Sequence, residues 1–294
     1  VVHDIAPQLV RLFKSLVRAE CRKNHLFDYW SQNVELLSLR MTESASRTGE
    51  HYITSTRSEY FRMWRSAALG GFVIALMSAL KIVLGGQGMA PLNEALAFCL
   101  NYGIGFVLIH ILGGTVATKQ PAMTANAIAA SIGEASGKTR DLQALAELIA
   151  RAVRSQIAAI LGNIGVAIPV AIALSLTIHA LSGAHFVSAD KAYKLLGEID
   201  PRSGAPLFAA IAGVCLFLSG LISGYYDNLA AYNRIPQRLR QLHWPRRLIG
   251  ERRMQRVAAY VENNLGALAG NFFFGFLLGG TTALGVLFGL PLDI

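Results

Sequence analysis

Residues 205–222 read APLFAAIAGVCLFLSGLI, and residues 223–247, which follow directly, read SGYYDNLAAYNRIPQRLRQLHWPRR. An uncharged oily run gives way within a few positions to two tyrosines, an aspartate and a series of arginines. A helix needs about 20 mainly apolar residues to cross a bilayer's hydrocarbon core. The run has that length, and the abrupt change after it predicts the edge of a membrane.

Four further segments have the same character. They are about 66–84 (SAALGGFVIALMSALKIVL), 92–116 (LNEALAFCLNYGIGFVLIHILGGTV), 157–181 (IAAILGNIGVAIPVAIALSLTIHAL) and 265–290 (LGALAGNFFFGFLLGGTTALGVLFGL). All are rich in Gly and Ala, which let helices approach closely in lipid. Over the whole chain of 294 residues, 53% are hydrophobic and 15% charged, against about 25% charged in a soluble domain. The predicted fold is all-α: a polytopic helical membrane protein with five spanning helices over 66–294, preceded by a helical cytoplasmic region over 1–65.

The charges decide the orientation. Residues before the first span hold ten Lys and Arg, 117–156 hold five and 225–264 hold eight, so alternate connectors carry 23 of the 27. Basic residues are retained on the cytoplasmic side. The pattern predicts an inner-membrane protein with a cytoplasmic N-terminus. Its partners would be the lipid bilayer and, at the Arg-rich loops, anionic inner-leaflet lipids, which attract each basic residue by roughly 1 kcal/mol. The net charge of +9 then needs no nucleic acid to explain it. Lys81, near a span end, is expected to snorkel.

Within 1–65, Ile5, Leu9, Leu12, Phe13, Leu16 and Val17 recur at helical spacing, with Arg11, Lys14 and Arg18 between them. A second helix is expected over about 26–41. Tyr60, Phe61 and Trp64 with Arg62 and Arg65 fit an interfacial collar. Glu50, His51 and Glu59 lack the second histidine that a metal site of the HExxH kind requires. The three cysteines are too scattered for a disulfide framework or a metal cluster. No metal or cofactor is expected.

Gly162-Asn163 and Gly270-Asn271 sit at matching depths in two spans, each following an amphipathic, Arg-bearing helix. Spans two and three, and spans four and five, therefore read as two hairpins of one internal repeat, parallel in the membrane. The repeat would gather His110, Lys119, Gln120, Asn163, Tyr225, Tyr226, Asp227, Asn228 and Asn271 in the cytoplasmic half or at its mouth. Polar groups at span depth are costly unless they face one another or water. Two readings stand side by side: a shared polar cavity for a small-molecule or lipid ligand, with Lys119 and Asp227 as opposite charges, or ordinary interhelical hydrogen bonding.

Two motifs fall short. GEASGKT (133–139) places three residues between its glycines where a phosphate loop needs four. His243 and Arg246 have the His-x-x-Arg spacing that tyrosine recombinases use on phosphate, but Tyr260 is the only tyrosine after them and it is about to enter a span. No nucleophile or metal set marks an enzyme, and His110 or Asp227 would be the general base if there were one.

GEHYITSTRSEYFRMWRSAALGG, ATKQPAMTA and SGYYDNLAAYNRIPQRLRQ together resemble the Gcr-type family of bacterial membrane proteins labelled site-specific recombinase. The resemblance covers the chain and implies a Gram-negative inner-membrane protein, of which this would be a piece. The label implies action on DNA. It brings no catalytic residues to carry over, and DNA is a partner that the motifs do not support. Transport, lipid handling or envelope maintenance through the polar cavity is the expectation from the residues themselves. Membrane-attached recombination is the alternative.

Overall fold

Thr56 begins the first long helix. Its hydroxyl accepts from the Glu59 N–H at 3.3 Å, and the Glu59 carboxylate accepts from the Thr56 N–H at 3.1 Å. This reciprocal box satisfies N–H groups that a helix start leaves open. In the computed structural model, which describes residues 5–22, 30, 53–119, 124, 128, 142–200, 202–290 and 292, helices are the only regular structure among those residues. They are α1 (Ile5–Arg22), α2 (Arg57–Gly85), α3 (Pro91–Ile111), a 3-10 turn (Ala117–Lys119), α4 (Leu142–Ser182), α5 (Ala189–Glu198), α6 (Ala205–Tyr232), α7 (Ile235–Gln241), α8 (His243–Ile249) and α9 (Glu251–Phe288). The helix expected over 26–41, Trp30 excepted, lies outside the described residues, as do Glu50, His51, Gln120 and the 133–139 motif.

α2, α3, α4, α6 and α9 are each long and apolar enough to cross a membrane. Their boundaries differ from the apolar runs in a consistent way. α4 spans 41 residues and α9 spans 38, because the amphipathic segments before their apolar runs continue as the same helix. α2 likewise runs unbroken from Arg57 into its apolar part. α3 instead ends at Ile111, short of the expected 116. Gly113 takes a left-handed φ of 72°. Its N–H donates to His110 O at 3.0 Å, and the Gly114 N–H donates to Ile109 O at 2.8 Å. This glycine-dependent stop turns the chain out of the helix.

The five helices pack in the order α4–α2–α3–α9–α6. α2 and α4 run the same way: Ala67 lies against Gly162, and Gly71 against the Asn163 backbone. α3 runs opposite to α9, with Cys99 at Gly279 and Gly103 at Gly275. α6 also runs opposite to α9, with Ser223 at Gly270 and Asp227 at Gly266. A Cβ on Gly275 would overlap the backbone of Tyr102 and Gly103, so this crossing requires glycine. Val73, Met77, Phe106, Ile109, Val116, Cys215 and Phe274 form the apolar core. At its edge the Lys81 ammonium lies over the rings of Phe98 and Tyr102, 5.7 and 5.5 Å from their centres.

The two hairpins expected of the repeat are packed differently from each other. α6 lies on α9, but α2 separates α3 from α4. The sequence could not show this, because lipid-compatible composition is shared by all five helices and every one of them offers small residues.

Candidate functional site

The segment after α3 is held by side chains from two helices. The Thr115 N–H donates to Ser66 O at 3.0 Å, and Ser66 Oγ donates to Gly113 O at 2.6 Å. Asn163, from the middle of α4, donates through Nδ2 to Thr115 O at 2.9 Å and to Ala67 O, and accepts the Ala117 N–H on Oδ1 at 2.7 Å. Gln156 Nε2 donates to Ala117 O at 3.1 Å. Asn163 is buried with both amide hydrogens and its oxygen engaged. It joins α2, α4 and the connector rather than meeting Asn271.

The connector so fixed turns Lys119 into the bundle. Its ammonium donates to Asn271 Oδ1, and lies 4.8 Å from the ring centre of Phe106 and 4.7 Å from that of Phe274. Aromatic faces attract a cation. Asn271 is itself anchored, donating through Nδ2 to Ala267 O at 2.7 Å. Lys119 belongs to the connector and not to a spanning helix, and burial pushes its pKa down to about 7. Desolvation disfavours the charged form.

One α3 turn from Phe106, His110 Nε2 is 3.1 Å from Asn264 Oδ1 on α9. On the other side of α9, Asp227 Oδ1 accepts the Gly266 N–H at 2.9 Å, and the Tyr226 ring stacks on Phe273 with centres 6.0 Å apart. His110, Lys119, Asp227 and Asn271 are thus all gathered on α9 between 264 and 271. They occupy two faces. Asn264, Asn271 and Gly275 face α3 and the connector, while Gly266, Gly270 and Phe273 face α6. Lys119 pairs with Asn271 and makes no ion pair with Asp227. Tyr225 and Asn228 are exposed on α6. Gln120 lies outside the described residues.

Asn264, Gln156, Ser66 and Thr115 were not anticipated. Asn264 had a signal: it is seven residues before Asn271, two helical turns along the same face. The other three act on backbone that leaves the helix, and no spacing rule points to them.

The connector from α6 to α9 carries arginines at the same end of the bundle. Arg240 pairs with Glu262 at 3.1 Å, and Arg246 with Glu251 at 2.9 Å. The arginine of the His-x-x-Arg spacing is therefore occupied by a carboxylate.

Five long apolar helices, alternating in direction with basic connectors at one end, define an all-α polytopic membrane fold. A family model described as site-specific recombinase matches residues 2–294. The chain belongs to that family. No curated protein and no solved structure matches it.

Proposed function

We propose that the chain is an inner-membrane protein with its N-terminus in the cytoplasm, and that it serves transport, lipid handling or envelope maintenance through the polar groups around α9. The observation that supports this is Lys119. A cation turned inward from a connector, between two phenylalanines and an asparagine, is expensive to keep, and ionisable groups perturbed in this way cluster at functional sites. His110 with Asn264 and Asp227 with Gly266 lie close by on α9, and a small polar or lipid ligand reaching this level would meet donors and acceptors on both faces. Anionic inner-leaflet lipids would meet the arginines at the same end.

The test is genetic and biochemical. In the native bacterium, Lys119→Met, Asp227→Asn and His110→Ala are introduced singly at the chromosomal locus. Envelope integrity, lipid composition and solute uptake are measured at matched protein level. Loss in Lys119→Met and Asp227→Asn is expected. Wild-type behaviour in all three would reject the reading. Cysteine labelling from outside should reach a residue placed at 88 and not one placed at 239.

The second reading is recombination by a membrane-attached protein, as the family description implies. It requires a basic surface that grips duplex phosphates and loses affinity steeply with salt. Purified protein that binds no duplex at physiological salt would remove it.

A further inference from the structure

α1 carries two opposed faces. Leu9, Leu12, Phe13, Leu16 and Val17 form one stripe, and these side chains are 44–65% exposed. Arg11, Lys14 and Arg18 form the opposite face with Ser15. Glu20 lies at the last turn, on the apolar side. A stripe of large apolar side chains this open requires a partner.

The helix itself says which partner. It has 18 residues, and four of them are basic, so it is no crossing helix. Its polar face from Gln8 to Ala19 is cationic without an acidic residue, which complements an anionic headgroup layer. The same chain holds five helices able to enter a bilayer, so α1 is tethered beside such a surface at high effective concentration. We propose that α1 lies flat on the bilayer, with Leu9, Leu12, Phe13, Leu16 and Val17 in the headgroup–acyl boundary and Arg11, Lys14 and Arg18 against lipid phosphates. This geometry is that of an interfacial amphipathic helix. It rests on the spanning reading of the five helices and is independent of the polar groups around α9.

The test uses the whole protein in nanodiscs, of phosphatidylcholine alone or with a third phosphatidylglycerol. Its native cysteines are replaced by alanine, and single cysteines at 12, 13 and 16, or at 11, 14 and 18, carry nitroxide labels. The expected result is severalfold greater collision with oxygen than with an aqueous nickel chelate at 12, 13 and 16, with the opposite at 11, 14 and 18. The contrast should grow with phosphatidylglycerol. Aqueous accessibility at all six positions would overturn the proposal. So would shielding of 12, 13 and 16 from both reagents, which would mean that protein covers the face. Amide exchange over 5–22 in the unsubstituted protein guards against label effects: slower exchange in the anionic discs is expected, and equal exchange in both overturns the proposal.

Discussion

Lys119 gives its ammonium hydrogen to Asn271, not to Asp227, because α9 stands between the lysine and the aspartate. The nearest opposite charge on α6 is therefore spent on a backbone N–H, and the lysine is solvated by an amide and two aromatic rings. The energetics of the site follow from that arrangement.

Asn271→Leu removes the hydrogen-bond acceptor that Lys119 has among the described residues. Leaving a buried polar group unmatched costs about 1–3 kcal/mol, more when it is charged. Asn271→Leu should lower Tm in detergent clearly, and Asn271→Asp, which supplies a counter-charge, should lower it less. Equal effects of the two would show that the lysine does not depend on this contact.

The pH dependence has a definite sign. Lys119 titrates near 7 in the folded protein against 10.5 for an ordinary lysine. Between these values the folded state binds fewer protons than the unfolded state, so this group's contribution to stability rises with pH. Below 7 the full cost of the buried charge is present. Lys119→Met should therefore gain most in Tm relative to wild type at pH 6, and its advantage should shrink by pH 9. A difference independent of pH would contradict the burial of the ammonium.

Asn163→Ala would leave the Ala117 N–H and the Thr115 carbonyl without their amide partners, each worth about 1–3 kcal/mol when buried. Asn228→Ala, on the exposed side of α6, should stay within about 0.5 kcal/mol. Limited proteolysis near 113–119 should quicken in the first variant and not in the second.

Gly275→Ala places a methyl group against the backbone of Gly103. Overpacking of this kind costs about 1–3 kcal/mol. Gly213→Ala is the control, since nothing lies within 4 Å of the added Cβ. The first should reduce Tm, and the second should leave it unchanged.

The number of long helices and the end of the bundle that collects arginine were legible from the runs themselves, because hydrophobic length and charge are local properties. The ends of α4 and α9 were less so: amphipathic turns over 142–156 and 251–264 join the apolar runs without a breaker residue, so there was nothing to mark a seam. The early stop of α3 was written in Gly113-Gly114, yet glycine is so common in these spans that the pair did not stand out. The candidate site was half readable. Residues about α9 were picked out by their polarity. Their division between its two faces depends on which helices flank it, and that order is set by small-residue contacts with no distinctive spelling. The same Gly-Asn pair thus stitches a connector in α4 and receives a lysine in α9.

Because α9 touches α3 through Asn264 and Gly275 and α6 through Gly266 and Gly270, it cannot turn about its own axis without disturbing both neighbours at once. A twist of one residue, about 100°, would part His110 from Asn264 and Asp227 from Gly266 in the same movement. Whatever pulls on one flank of this helix is felt on the other.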